Sequence, residues 1–126
     1  MGLDMYLKGE KFAQFNKPRQ EDGFNISSII LELGYWRKHP NLHGFIVEQF
    51  ANGVDTCQRI NLTADNVRQI IKAIKKRSLP HTEGFFFGTS DPSDDQSSIE
   101  ILEKALKWLE TEDDRFDREI YYQASW

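Results

Sequence analysis

The sequence of 126 residues contains one cysteine, Cys57, so it cannot form an intrachain disulfide bond. A chain without disulfide bonds is typical of a reducing compartment, and we therefore expect a cytoplasmic protein. The sequence also has no apolar run long enough to span a membrane. Its first residues lack the basic segment and apolar stretch of a signal peptide. We expect neither membrane insertion nor secretion.

The chain has no excess of positive charge either. Its 16 Lys and Arg residues are outnumbered by 20 Asp and Glu residues, which gives a net charge of −4. Non-specific binding of nucleic acids needs a basic surface, so we expect no nucleic-acid partner, although an acidic domain can still carry a local basic patch. Hydrophobic residues make up 39% of the chain, which is sufficient for one packed core at this length. We expect a single domain over residues 1–126.

Periodic patterns along the chain predict an α+β fold. The segments predicted as strands are residues 3–7, 29–36, 54–62, 84–88 and 120–126. Those predicted as helices are residues 40–50, 63–77 and 97–109. Residues 9–25 are polar and contain Pro18 and Gly23, which predicts a long loop. The order is β-β-α-β-α-β-α-β, and we expect a single mixed or mainly antiparallel sheet of about five strands, with three helices mainly on one face.

Several short segments together resemble a family of small proteins from bacteriophages and prophages. They are GLDMYL at residues 2–7, YWRK at 35–38 with His43 downstream, DTC at 55–57, GFFFG at 84–88 and YYQASW at 121–126. The resemblance covers nearly the whole chain in the same order. It departs at Ala124, where the family pattern has serine, and after Gly88, where it has aromatic residues. The resemblance implies a phage or bacterial origin and a cytoplasmic setting in the bacterial cell, without an established activity.

The segment Tyr35-Trp36-Arg37-Lys38 ends a predicted strand just before the helix that begins near Pro40. Arg37 and Lys38 would place two cations beside the free N–H groups of a helix N-terminus, a combination that binds anions. Simple alternation places Leu33 and Tyr35 on one face and Trp36 on the opposite face, where its ring could stack on a planar ligand. The alternative is a strand end with solvated cations and an aromatic lid on the core.

His43 lies in the first turn of the same predicted helix, and the adjacent Gly44 offers little steric cover. A histidine there could titrate near neutral pH and act as an acid, a base or a donor to phosphate. The alternative is a surface histidine satisfied by water or backbone groups. His39 and His43 have a spacing that two metal ligands can use. No HExxH motif and no third ligand are evident, so we predict no metal and no other cofactor.

The chain closes on three aromatic residues, Tyr121, Tyr122 and Trp126. Terminal residues usually fray unless packing holds them, so this pattern predicts a last strand docked in the sheet. Trp126 would then anchor the core or line a pocket, and both interpretations stay open. If the last strand pairs beside Tyr35-Trp36, the two clusters form one aromatic cleft. The predicted ligand-binding residues are Tyr35, Trp36, Arg37, Lys38, His43, Tyr122 and Trp126.

Three functions fit these patterns. We favour a binding module for a small anionic, nucleotide-like molecule, which in a phage protein could sequester a host defence signal. The second function is binding to a host protein through an acidic surface of this chain. Such binding would inhibit or modulate the host protein. The third is a small hydrolase that uses His43 with Asp55 or Cys57. No catalytic motif supports the third function, so we assign no catalytic residue.

Overall fold

The fold is α+β with a mainly antiparallel sheet, as the sequence predicted. The computed structural model describes residues 2–84 and 87–126. The strands are β1 (Asp4–Ala13), β2 (Arg19–Glu21), β3 (Phe24–Ile26), β4 (Ser28–Arg37), β5 (Ile60–Leu62) and β6 (Phe116–Ser125). The helices are α1 (Pro40–Phe50), α2 (Ala64–Lys75) and α3 (Asp95–Glu110), the last preceded by a short 3-10 turn (Pro92–Asp94).

The main sheet has four antiparallel strands in the order β4-β1-β6-β5. β1 is a central strand, and its residue Asp4 pairs with Arg37 of β4 on one side and with Ser125 of β6 on the other. The C-terminal ends of β4 and β6 therefore lie at the same end of the sheet, with β1 between them.

The helices pack on one face of this sheet. Alternate residues in and beside β1 and β6 point towards them and are almost completely buried: Leu3, Met5, Leu7, Ile120, Tyr122 and Ala124. They form one core with Ile46 of α1, Ile70 of α2 and Leu102 of α3. Burying each large apolar side chain stabilises the fold by about 1.5–3 kcal/mol. The intervening residues of the strands, such as Tyr6 and Lys8, lie on the outer face of the sheet.

A β-bulge in β4 changes which residues face the core. The pairing with β1 skips Leu33, so the alternation of faces inverts after this residue. Gly34 is required at the bulge because a Cβ atom there would collide with the side chain of Ile101 in α3. As a result Tyr35 is exposed and Trp36 is buried. The simple alternation that placed Leu33 and Tyr35 on one face was therefore wrong.

The long loop predicted over residues 9–25 was also wrong. β1 extends to Ala13, and β2 and β3 form a separate two-stranded hairpin. Asp22 and Gly23 connect these two strands with φ angles of 52° and 83°. A type I′ turn requires positive φ at both of its central residues, and Asp-Gly is among the strongest sequence signals for it.

The remaining differences concern the bounds of individual elements. β5 covers only the end of the predicted strand 54–62, β6 begins at Phe116 rather than Ile120, and α3 begins at Asp95 rather than Ser97. Of the strand predicted over 84–88, the described residues Gly84, Phe87 and Gly88 belong to no strand. Residues 85–86 lie outside the described part of the chain.

Candidate functional site

The seven predicted ligand-binding residues lie in four different places. β6 pairs with β1 rather than with β4, so β1 separates the predicted cluster at the end of β4 from the one in β6. Tyr35 and Arg37 are on the outer face of the sheet, where both side chains donate hydrogen bonds to the carboxylate of Asp4. The pairing that would have joined Tyr35 and Tyr122 in one cleft does not occur.

Trp36 and Lys38 do not take the positions expected of them. Trp36 is 7% exposed, and its indole Nε1 donates a hydrogen bond to Ser98 Oγ at 2.9 Å. Its ring is part of the core and has no free face on which a ligand could stack. Lys38 has a φ angle of 55° and its backbone N–H donates to the carbonyl of Leu3 at 2.7 Å. Its side chain runs beside Gly88.

His43, Tyr122 and Trp126 come together in a chain of hydrogen bonds through Asp55. His43 Nδ1 lies 2.6 Å from the hydroxyl of Tyr122, and His43 Nε2 lies 2.9 Å from Asp55 Oδ2. The indole Nε1 of Trp126 donates to the other oxygen of Asp55 at 3.3 Å. Phe87 packs edge-on against both His43 and Trp126. His43 is 2% exposed, so the expectation of an accessible histidine was wrong.

These contacts fit a structural role for His43 better than a catalytic one. A carboxylate only accepts hydrogen bonds, so a neutral His43 carries its hydrogen on Nε2, and Nδ1 accepts from the Tyr122 hydroxyl. Burial, reinforced by the nearby Asp55 carboxylate, raises the pKa of Tyr122 and keeps its phenol protonated. His43 and Tyr122 are both almost completely buried, so a substrate has no access to the ring nitrogens of His43. The chain of bonds instead fastens the last strand to α1 and to the loop that follows α1.

A second group of polar residues surrounds a cavity of about 160 Å³ at the N-terminus of α1. It is formed by the start of α1, the C-terminal end of α2 and the loop before α3. The lining residues are His39, Asn41, Ile74, Arg77, Leu79, Ser90, Asp91, Pro92 and Asp95. The sequence predicted an anion site at this helix end, with Arg37 and Lys38 as its cations. The structure places Arg77 there instead.

Ser90 lies in the wall of the cavity and forms hydrogen bonds to the first turn of α1 and to His39 before it. Its Oγ lies 2.8 Å from Nδ1 of His39 and accepts the backbone N–H of Asn41 at 3.0 Å. His39 is 5% exposed, and its other ring nitrogen, Nε2, has no partner within the described residues. Burial lowers the pKa of His39 against the opposing effect of Asp95, so the ring is neutral at pH 7 and carries a single hydrogen.

The pair formed by His39 and Ser90 has one hydrogen left for donation. Neutral His39 carries one hydrogen on its ring, and Ser90 carries one on its hydroxyl. The bond between Nδ1 and Oγ uses one of these two hydrogens in either tautomer of His39. The other hydrogen lies on Ser90 Oγ or on His39 Nε2, and the described part of the chain offers it no acceptor.

Asn41 and Arg77 add further donors to the cavity. The side-chain oxygen of Asn41 accepts the N–H of Thr82 at 3.0 Å, which leaves the amide NH₂ group free to donate. Arg77 follows the C-terminus of α2 with a φ angle of 52°, at a position where glycine is usual. Its guanidinium forms no ion pair with any of the described residues. The cavity therefore contains the His39–Ser90 pair, an amide and a guanidinium, all able to donate.

Two carboxylates line the same cavity. Asp91 accepts the backbone N–H of Ser93 at 2.9 Å, and this bond lowers the pKa of Asp91. Asp95 is partly buried at the start of α3. Ionised carboxylates accept hydrogen bonds from hydroxyl or amino groups. The cavity can therefore bind a molecule that carries both an anionic group and hydrogen-bond donors.

The sequence interpretation missed Ser90, Asn41 and Arg77 as candidate site residues. Arg77 belongs to a run of cations whose presence at a helix C-terminus is already explained by the helix dipole. Ser90 lies in a polar loop without a recognisable motif. An αL arginine after a helix is visible only in the structure, as is the contact between Ser90 and His39.

A comparison with protein-family models finds no match, and searches of curated proteins and of solved structures find none either. The resemblance to phage and prophage proteins therefore stays a prediction. Within residues 2–84 and 87–126, no helix is long and apolar enough to span a membrane. The same residues contain no group of three His, Cys, Asp or Glu side chains placed to hold a metal ion.

Proposed function

We propose that the protein binds a small, nucleotide-like molecule whose phosphate lies in the cavity at the N-terminus of α1. The observation that carries this proposal is the pair of His39 and Ser90. The bond between these two residues leaves one of their hydrogens without an acceptor within the described residues, so the pair can donate to a ligand. An anionic oxygen is the acceptor that such a donor favours, because charge-assisted hydrogen bonds are the strong ones.

Two further features support an anion rather than a neutral acceptor. The N-terminus of an α-helix carries a partial positive charge, and α1 begins at Pro40 beside the cavity. Arg77 adds a full positive charge to the cavity and forms no salt bridge within the described residues. Arginine binds phosphate through two parallel hydrogen bonds, which gives orientation as well as affinity.

The volume of the cavity restricts the size of the ligand. At about 160 Å³ it lies below the roughly 300 Å³ at which pockets for drug-sized ligands begin. A phosphate with an attached sugar therefore fits better than an entire nucleotide, and any base would lie outside the cavity. Asp91 and Asp95 would accept hydrogen bonds from the sugar hydroxyls. Base stacking on Trp36 or Trp126 forms no part of this site.

The biological use of such binding follows from the sequence resemblance. A phage or prophage protein that sequesters a nucleotide-like molecule would lower the concentration of a host defence signal of that chemical type. Sequestration requires binding alone, so the proposal assigns no catalytic residue. The burial of His43 away from solvent fits this assignment.

Isothermal titration calorimetry tests the proposal with inorganic phosphate, ribose 5-phosphate, ADP-ribose and a cyclic dinucleotide. We expect saturable binding that weakens at high salt, because exposed charges are screened. Ser90→Ala should weaken binding of every ligand that binds. Ser97→Ala is the matched control, since its hydroxyl donates to the carbonyl of Asp94 outside the cavity lining. Absence of binding across the panel would contradict the proposal.

Two exposed phenylalanines favour a second candidate function, the binding of a host protein. Phe15 is completely exposed and Phe24, in the β2–β3 hairpin, is largely exposed. Large aromatic side chains are typical anchors of protein interfaces. A pull-down from bacterial lysate should then recover a partner that the double variant Phe15→Ser, Phe24→Ser loses. Equal recovery by the wild type and the variant would count against this function.

A further inference from the structure

The two edges of the main sheet differ in a way that matters for association. At one edge β5 has three residues, whereas at the other edge β4 has ten. Proteins usually protect a sheet edge by keeping its strand short, by placing charges or Pro in it, or by a β-bulge. In β4 the charges and the bulge lie at and after Glu32, and the stretch before them carries the apolar run Ile29-Ile30-Leu31. The β5 edge is protected by its length, whereas the stretch from Ser28 to Leu31 has none of these protections.

The first half of β4 offers a regular, unpaired edge. Within the described residues β4 pairs with β1 alone, so the backbone groups on its other side have no strand partner. The bulge at Leu33 ends the regular stretch, which leaves Ser28–Glu32 as the part able to pair. Ile29 and Leu31 point to the helix side and are only partly buried, while Ile30 on the outer face is 51% exposed. Apolar side chains at the border of the core are therefore partly exposed to solvent along this edge.

We propose that β4 pairs antiparallel with β4 of a second copy of the chain, about a twofold axis at Ile30. In this register Ile30 faces its own equivalent, and Ile29 faces Leu31 of the second copy. Ser28 faces Glu32 of the second copy, which places a hydroxyl opposite a carboxylate. The symmetry repeats each of these pairs, as in any isologous interface. The two sheets then form one continuous antiparallel sheet.

The sequence of this stretch explains why the partner is a second copy. Apolar residues meet apolar residues on the helix side, and both ends of the interface pair Ser28 with Glu32. Cross-strand pairs of this kind stabilise a sheet, whereas like charges opposite each other destabilise it. A register centred on Glu32 would bring two carboxylates together, so the register at Ile30 is favoured. A strand of unrelated sequence would gain the backbone hydrogen bonds without these side-chain pairs.

Sedimentation equilibrium of the full chain tests this inference. We expect the mass to rise with concentration from 14.7 kDa towards twice that value. Ile30→Lys places two like charges at the axis and should keep the protein monomeric. Val54→Lys is the matched control, because Val54 is 52% exposed but lies in the loop after α1, and it should dimerise like the wild type. A wild type that is monomeric at about 1 mM, where even weak complexes form, would overturn the inference.

A cross-linking experiment keeps the test decisive if Ile30→Lys does not fold. Residues directly opposite each other in antiparallel strands have Cβ atoms about 4.5–5.5 Å apart, close to the distance that a disulfide spans. In a Cys57→Ser background, Ile30→Cys should therefore form a covalent dimer on mild oxidation, whereas Val54→Cys should not. Equal cross-linking of both variants, or of neither, would overturn the proposed register.

Discussion

Replacing Arg77 by glycine should separate ligand binding from stability. Arg77 has a φ angle of 52°, and a side chain in this left-handed region costs about 1–2 kcal/mol that glycine does not incur. Glycine in turn loses more backbone freedom on folding, which costs about 0.5–1 kcal/mol. The two effects nearly cancel. We expect the free energy of unfolding to change by less than about 1 kcal/mol, a shift in Tm of less than about 4 °C.

The same substitution should weaken ligand binding strongly. A hydrogen bond to a charged group contributes about 1.5–3 kcal/mol, and each 1.4 kcal/mol corresponds to about a tenfold change in Kd. Arg77 is exposed to solvent, which places its contribution in the lower part of that range. We therefore expect Arg77→Gly to raise the Kd for ribose 5-phosphate about 10-fold to 30-fold.

Lys38→Gly provides a matched control for Arg77→Gly. Lys38 is also an exposed cation with a positive φ angle, 55°, but it does not line the cavity. Both variants lower the net charge equally and relieve the same backbone strain. Circular dichroism melting and isothermal titration calorimetry should show similar Tm values for the two variants and a weaker Kd only for Arg77→Gly. An equal loss of affinity in both, or in neither, would refute the role of Arg77.

Three other variants test separate contacts. Ser90→Ala leaves the N–H of Asn41 and Nδ1 of His39 without their partner, so urea denaturation should show a loss of about 1–3 kcal/mol in the free energy of unfolding; unchanged stability would contradict a role for these two bonds. Trp36→Phe removes the bond to Ser98 and should lower the free energy of unfolding by about 0.5–1.5 kcal/mol without changing ligand affinity. A loss of affinity without a loss of stability would instead identify Trp36 as a binding residue. The lowered pKa of His39 means that the unfolded chain binds more protons than the folded chain. Stability should therefore fall as pH drops below about 6.5. In His39→Asn the side-chain amide can replace Nδ1 but does not titrate. The difference in urea midpoint between pH 7 and pH 5 should therefore be smaller in this variant than in the wild type. An undiminished difference would place the acid sensitivity elsewhere.

The helices could be predicted because their signals are local. Pro40 opens α1, and Thr63 caps α2 by accepting the backbone N–H of Asn66, as its position before an apolar stripe predicts. The Asp22-Gly23 turn is an equally local signal that the interpretation of residues 9–25 passed over. The strand order could not be predicted in this way, because it depends on pairings between segments that are distant in the sequence. Nothing in the last strand itself indicates that β1 separates it from β4.

The sequence predicted a site at the N-terminus of α1, where the cavity lies, but with cations that the structure places elsewhere. The single extra residue at Leu33 reverses which side chains of β4 face the core, so the side chain of Trp36 points into the core. Alternation alone cannot reveal a bulge, because the sequence on both sides of it still alternates. Ser90 and Arg77 reach the cavity from two other segments of the chain. Their contribution depends on tertiary contacts such as the bond between Ser90 and His39.

A phosphate-bearing ligand in the cavity at the N-terminus of α1 would change the environment of the residues around it. Titration of ¹⁵N-labelled protein with ribose 5-phosphate, followed by ¹H–¹⁵N NMR spectroscopy, detects such a change. We expect saturable shifts of the backbone amides of Asn41, Arg77 and Ser90, with Arg37 and Trp126 unaffected. Shifts confined to Arg37 and Trp126, or no saturable shift at all, would show that the ligand does not bind in this cavity.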